Sequence, residues 1–248
     1  MIKVIVNGSL GKMGKVLTDL IMEDKAFELV AGVSKYKNDN IDYPIYSSIL
    51  DVKEKVDVII DFSNPDSLKD LLSYSKHTKI PLVIATTGYS DEELNMIEEL
   101  SKEVSIFHSS NMSVGVNLIL KLVEISAKAL TNFDIEIIEK HHNKKVDAPS
   151  GTALMIANEI QQVLNNEFNY GRHGKNEKRK ENEIGIHAVR GGTIAGDHSV
   201  IFAGKDEILE LNHIALSKEI FAQGSLKAAK FIVNKENGYY NMKDVVSI

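Results

Sequence analysis

The chain has no cysteine, no tryptophan and only four prolines in 248 residues. The missing cysteine is the most informative absence. It excludes disulfides, thiolate metal sites, iron–sulfur clusters and a cysteine nucleophile together, leaving chemistry to His, Lys, Asp, Glu, Ser or Thr. An excess of positive charge is also missing: 29 Lys+Arg stand against 35 Asp+Glu, a formal net charge of −6. That balance excludes a generally basic nucleic-acid binder. No apolar run approaches the roughly 20 residues that a membrane span needs. Met1-Ile2-Lys3-Val4-Ile5-Val6 runs straight into Gly8 without the apolar stretch of a secretory leader. The expectation is a cytoplasmic protein with no nucleic-acid or membrane partner. With 43% hydrophobic and 26% charged residues, the composition is that of a folded globular protein of one large or two smaller domains.

Short runs rich in Val and Ile (Val4–Val6, Glu28–Val33, Val56–Phe62, Leu82–Thr86 and Val104–Phe107) read as strands of a parallel sheet buried on both faces. Between the first two, Met13, Val16, Leu17, Leu20 and Ile21 have the spacing of a one-striped helix. Ser90-Asp91-Glu92-Glu93 has the form of a capping box ahead of Leu94, Ile97 and Leu100. Such alternation of strand and helix argues βαβ units. After a helical segment near Val114–Leu130, the runs Asp134–Glu139, Ile184–Val189, Ser199–Ala203 and Ile208–Ile214 alternate apolar with polar residues, which predicts an open, mainly antiparallel sheet covered on one side. The expected fold is therefore α/β: an N-terminal Rossmann-like dinucleotide-binding domain plus a smaller α+β domain. The boundaries are 1–112, completed by a C-terminal helical tail at 218–248, and 113–217 for substrate binding and oligomerisation. Arg172–Glu183, rich in both charge signs, reads as a solvated loop.

Gly8-Ser9-Leu10-Gly11-Lys12-Met13-Gly14 lies directly after the first strand and opens the first helix. A glycine there lets the backbone approach a pyrophosphate, and the helix start offers free N–H groups to its charge. About 20 residues further on, an NAD-specific site carries a carboxylate for the ribose 2′-hydroxyl. Here that place reads Val33-Ser34-Lys35, and Lys35 with Ser34 suits a 2′-phosphate, so NADPH is expected to be accepted at least as well as NADH. Asp61-Phe62-Ser63-Asn64-Pro65, Thr86-Thr87-Gly88 and Ser109-Ser110-Asn111-Met112 fall at C-terminal strand ends, where ligands bind in such sheets; turn chemistry or helix capping is the alternative for each.

The densest chemistry is Glu139-Lys140-His141-His142-Asn143-Lys144-Lys145-Val146-Asp147-Ala148-Pro149-Ser150-Gly151-Thr152-Ala153, with five basic side chains in the six positions 140–145 of an acidic chain. A local positive site on a negative molecule suits a small anionic ligand. Ser150 is a natural N-cap, and the Gly151 and Thr152 amides at a helix start suit a carboxylate. His141 or Lys145 would supply the proton that accompanies hydride transfer to an imine or enamine. A His-His zinc site would need Glu139 or Asp147 as a further ligand, and no metal is expected.

This long signature closely resembles that of the 4-hydroxy-tetrahydrodipicolinate reductase family, the dihydrodipicolinate reductases of lysine and diaminopimelate synthesis. The resemblance extends through the Gly8–Gly14 turn, Asp61-Phe62-Ser63, Thr86-Thr87-Gly88, Asn111-Met112-Ser113-Val114-Gly115-Val116-Asn117, Arg190-Gly191-Gly192 and Phe221-Ala222-Gln223-Gly224. It implies NADPH- or NADH-dependent reduction of a small cyclic dicarboxylate with loss of water, by a homotetramer. By motif, His141 is the proton donor/acceptor and Lys145 a second donor. His142, Lys145 and Ser150 contact substrate, and Gly151 with Thr152 bind its carboxylate. Cofactor positions fall on Gly8, Ser9, Leu10, Gly11, Lys12, Met13, Ser34, Lys35, Ala85, Thr86, Thr87, Ser109, Ser110, Asn111 and Met112. Family members commonly carry an acidic residue and Arg where this chain has Ser34-Lys35, and Arg where it has Lys12. The alternatives are another NAD(P)-dependent reductase of a small amino or keto acid, and a catalytically inactive NADPH-binding sensor.

Overall fold

A strand whose successive residues are all apolar must be covered on both faces, and the first sheet is built in this way. The computed structural model describes residues 1–36, 41–175 and 178–246. Its elements begin β1 (Ile2–Asn7), α1 (Lys12–Glu23), β2 (Phe27–Val33), β3 (Ile45–Tyr46), β4 (Val58–Asp61), α2 (Leu68–Thr78), β5 (Leu82–Ile84), α3 (Asp91–Ser101) and β6 (Ser105–His108). There follow α4 (Val114–Ala129), β7 (Asp134–His141), α5 (Gly151–Leu164), β8 (Glu167–Asn169), β9 (Glu183–Arg190), β10 (Gly196–Ala203) and β11 (Ile208–Ala215). The chain closes with α6 (Glu219–Ile232), β12 (Gly238–Tyr240) and α7 (Met242–Val245). Two compact units result, Met1–Val114 with Glu219–Ile248, and Gly115–Lys218.

The first unit holds a seven-stranded sheet in the order β12-β6-β5-β4-β1-β2-β3, with every pairing parallel. Alternate residues of one strand feed separate cores. Val4 and Val6 pack with Leu17, Ile21, Phe107, Ala229 and Ile232, while Ile5 packs with Leu71, Ile97 and Ile106. Helices therefore cover both faces, α1 and α6 on one and α2 and α3 on the other. The capping box at Ser90 and Glu93 forms as the sequence indicates. β3, β8 and β12 are strands of two or three residues, too short to show a period.

The second unit's sheet, in the order β11-β10-β7-β9-β8, corrects the expectation of a mainly antiparallel arrangement: it is mixed. β10 runs antiparallel to β7 and β11, whereas β9 runs parallel to β7 and β8. Alternation reports which face of a strand is covered, not its direction. β7 and β9 are joined through α5 and β8, a crossover long enough to bring the chain back the same way. Ile135, Ile137, Ile184, Val200 and Phe202 pack under α4 and α5 with Val123, Ile156 and Ile160. On the strands, Ile208, Ile214 and Val189 are exposed. Arg172–Glu183 is not simply solvated, although 176–177 lie outside the described residues. Arg172 pairs with Glu136 and Glu183, Arg179 Nε reaches Glu136 at 3.3 Å, and Glu183 is buried.

Gly8 sits at φ +83°, and a Cβ there would lie 2.5 Å from the Phe62 carbonyl oxygen. A Cβ on Gly14 would lie 2.0 Å from the Gly8 carbonyl oxygen. The spaced glycines thus let the first turn of α1 press on the loop before it. Gly14→Ala is expected to destabilise the protein by about 1–3 kcal/mol through overpacking. Urea unfolding measures this, and an unchanged midpoint would show that the turn yields.

Candidate active site

Two cavities open along the C-terminal ends of the parallel strands, both within the first unit. One, of about 600 Å³, is lined among others by Gly11, Lys12, Met13, Ala85, Thr86, Thr87, Ser110, Asn111 and Met112. The other, of about 470 Å³, includes Gly8, Leu10, Gly11, Ser34 and Lys35. Gly11 belongs to both, so the glycine turn stands between them. Ser9 and Ser109 line neither: Ser9 is fully buried under the turn, and the Ser109 hydroxyl donates to the Asn111 carbonyl at 2.8 Å.

Gly11 caps α1 without a side-chain hydrogen bond, and the first turn carries no acidic residue. That leaves the amides at the helix start and its positive dipole end for an anion. The residues thus fit a dinucleotide whose pyrophosphate sits at the turn. Behind the larger cavity, buried Asp61 accepts from Asn7 Nδ2 at 2.7 Å and Ser63 Oγ at 2.5 Å, and the Ser63 amide donates to Thr86 Oγ1 at 2.9 Å. Burial pushes the Asp61 carboxyl up, against the pull of the Ser63, Thr86 and Asn7 hydrogen bonds. Sequence reasoning missed Tyr36, Ser47, Ser48, Ile49, Asp66, Ser67 and Asp70 on the smaller cavity, because they lie on loops and a helix start with no motif of their own.

In the second unit, His141 of the basic run, Arg190 of β9 and the start of α5 meet at one carboxylate. β7 alternates so that Glu139 and His141 point under the helices, and both are buried. Glu139 accepts from Arg190 Nη1 at 2.8 Å, Arg190 Nη2 at 2.7 Å and the Ser150 amide at 3.0 Å. His141 Nδ1 lies 2.6 Å from Glu139 Oε2. Burial alone would raise the Glu139 carboxyl, but Arg190, His141 and the Ser150 amide outweigh it and hold the group below its ordinary value.

Arg190 also donates to the Asp147 carbonyl, and the Gly191 amide donates to the His141 carbonyl at 2.9 Å, pinning both ends of the loop. Lys145 Nζ pairs with Asp147 Oδ1 at 2.9 Å. The Ser150 hydroxyl caps α5 by accepting from the Ala153 amide at 3.2 Å and lies 3.0 Å from His198 Nε2. It is thereby committed within the protein, while Gly151 is exposed and a Cβ there would meet nothing within 4 Å. His142 is half-buried. Among the described residues, no group of three or more His, Cys, Asp or Glu is placed to hold a metal ion.

Sequence reasoning missed His198. Its signal was available, because extending the Val200 and Phe202 alternation backwards puts His198 on the covered face. Burial foremost, and then His141, push it down to about 4.

A parallel sheet with a glycine turn at its strand ends, accompanied by a unit carrying a buried His–carboxylate pair and a basic loop, defines an oxidoreductase that uses a nicotinamide dinucleotide. Comparison with known proteins makes the class specific. Residues 2–112 match the family described as dihydrodipicolinate reductase, N-terminus, and residues 115–246 match dihydrodipicolinate reductase, C-terminus. A 4-hydroxy-tetrahydrodipicolinate reductase of Caldanaerobacter subterraneus is 55% identical over 99% of this chain and 98% of its own. That of Clostridium novyi is 52% identical over 99% and 98%. A dipicolinate-bound dihydrodipicolinate reductase from Paenisporosarcina sp. superposes with TM-score 0.85 at 25% identity, covering 99% of each chain. A myo-inositol dehydrogenase from Corynebacterium glutamicum, covering 99% of this chain and 92% of its own with TM-score 0.61 at 14% identity, shares the fold alone. The chain belongs to the dihydrodipicolinate reductase family and is an NAD(P)H-dependent oxidoreductase acting on 4-hydroxy-tetrahydrodipicolinate.

The buried histidine gives a pH test. His198 is held neutral in the folded protein and titrates near 6.5 when unfolded, so its contribution to stability is present above pH 6.5 and is lost as pH falls towards about 4. Between pH 7 and pH 5 the protein should lose about 2 kcal/mol from this group. Urea unfolding of wild type and His198→Gln at the two pH values measures it, with the variant showing the smaller difference.

Proposed function

We propose that the unit formed by Met1–Val114 and Glu219–Ile248 binds NADPH or NADH, and that Gly115–Lys218 binds the cyclic dicarboxylate and reduces it to tetrahydrodipicolinate with loss of water. The observation that carries this reading is the start of α5. Its capping hydroxyl is engaged by Ala153 and His198, while the Gly151 position faces open space. A substrate carboxylate is held there by the Gly151 and Thr152 amides and by the helix dipole, with His142 as a further contact. Ser150 acts by capping the helix.

Bound in the first unit, the nicotinamide cofactor supplies the hydride. Replacing a hydroxyl by hydride and releasing water consumes one proton overall, which His141 and Lys145 handle as donor/acceptor and second donor. Asp147 holds the Lys145 ammonium 2.9 Å away until substrate arrives.

Lys35 and Ser34 share the smaller cavity with Asp66 and Asp70. In this reading Lys35 pairs with the 2′-phosphate, and NADPH binds at least as well as NADH. The chain works as a cytoplasmic homotetramer in lysine and diaminopimelate synthesis, a reading supported by the exposed Ile208, Ile214 and Val189 on the second sheet. No helix among the described residues is long and apolar enough to cross a membrane.

The test of function is NADPH oxidation with substrate generated in situ by a coupled synthase from pyruvate and aspartate semialdehyde. His141→Ala and Lys145→Ala should each lower turnover by about 10²–10⁴-fold while NADPH binding stays near wild type. Equal loss of both would assign these residues to the fold, and binding without any wild-type turnover would favour a sensor. Lys35→Ala should weaken NADPH by about 1–2 kcal/mol, roughly five- to thirtyfold, with little change for NADH. An unchanged ratio of the two affinities removes Lys35 from cofactor choice.

A further inference from the structure

The Glu139 carboxylate touches His141, Arg190 and the start of α5 together. It lies fully buried at the end of β7, opposite His198 in the β7–β10 register. Its Oε1 accepts from the Ser150 amide at the start of α5 and from Arg190 Nη2, and its Oε2 accepts from Arg190 Nη1 and meets His141 Nδ1. A bidentate guanidinium keeps it charged, and a carboxylate can only accept. His141 must therefore carry its proton on Nδ1, whether the ring is neutral or charged. Nε2 is left as the atom that gains or gives up a proton. The room at Nε2 is also set by the chain: a Cβ on Gly196 would stand 3.2 Å from it, closer than ordinary van der Waals contact.

We propose that Glu139 is the positioning residue of this site, fixing the His141 tautomer and anchoring the start of α5, and that Gly196 keeps the working Nε2 clear. One carboxylate then sets both the proton-transfer group and the amides that hold the substrate carboxylate. In a transfer step the Nε2–H bond of the imidazolium breaks as the proton forms its new bond to the substrate, and a neutral ring remains, still donating from Nδ1. Glu139 keeps its charge throughout, and Arg190 continues to balance it.

The proposal rests on His141 being the proton-transfer group, so the experiment carries His141→Ala as its benchmark. Glu139→Gln removes the charge and leaves an amide that can offer Nδ1 either a donor or an acceptor. Glu139→Asp keeps the charge against Arg190 but withdraws the carboxylate by one methylene, and it serves if the glutamine variant does not fold. The measurements are kcat and KM in the coupled assay, NADPH affinity, and the ring ¹⁵N shifts of His141.

The expected result is a fall in kcat on the order of 10–100-fold with NADPH affinity unchanged, and His141 shifts that no longer report a fixed Nδ1–H form. Gly196→Ala should lower kcat with the Nδ1–H signal intact. Turnover within about threefold of wild type in a folded Glu139 variant, or a loss of kcat with the His141 signal unaltered, would overturn the proposal. Full activity in His141→Ala would instead overturn the functional reading on which it rests.

Discussion

The meeting of Glu139 with Arg190, His141 and the Ser150 amide is the constraint on which the second unit's site depends. A carboxylate with no solvent exposure is costly unless its charge is neutralised and its lone pairs are filled. Here the partners that satisfy it are also the groups to which the proposed reaction assigns proton transfer and the start of the carboxylate site. Arg190 comes from the end of β9, His141 from the end of β7 and Ser150 from the start of α5, so three elements are held at one point. Removing one partner leaves a buried charge short of compensation, which makes the arrangement stiff. That stiffness holds the His141 ring and the start of α5 at fixed positions, as the proposed proton transfer and carboxylate binding require.

The first unit relies on close backbone approach more than on charge. Gly8 and Gly14 bring the turn, the helix start and the Phe62–Ser63 loop within van der Waals limits. Gly224 does the same on α6, where a Cβ would lie 1.7 Å from the Met112 carbonyl oxygen. The loops lining the larger cavity are thereby fixed by packing, with Asp61 tying Ser63 and Asn7 together from behind. Glycine, which is usually a loss of order within a helix, here sets the distance between backbone segments.

Much of this was legible in the residues, for physical reasons that can be named. β1, β2, β4, β5 and β6 were visible because double-sided burial gives them consecutive apolar residues, and α1, α3 and α5 because their apolar residues recur at helical spacing, with Ser90 and Ser150 marking the starts of the last two. α2 is not legible in the same way: Leu68, Leu71, Leu72 and Tyr74 are buried, but their stripe follows a Ser-Asn-Pro segment with the residues of a turn. Strand direction in the second sheet was illegible, since alternation is the same for parallel and antiparallel neighbours. The tautomer of His141 was equally hidden. Glu139 stood in the motif two positions away, a spacing that places both on one strand face, yet its pairing with Arg190 spans 51 residues, and only the β7–β9 register brings them together. The charge run Arg172–Glu183 misled because a mixed-sign segment looks the same in solvent as when folded onto Glu136.

The most direct measurement is a structure of the protein with NADPH and dipicolinate bound. The account predicts one ring carboxylate within hydrogen-bond distance of the Gly151 and Thr152 amides, His141 Nε2 facing the ring, and Nδ1 still on Glu139. A dicarboxylate bound away from the start of α5, or a His141 ring turned so that Nδ1 leaves Glu139, would contradict it.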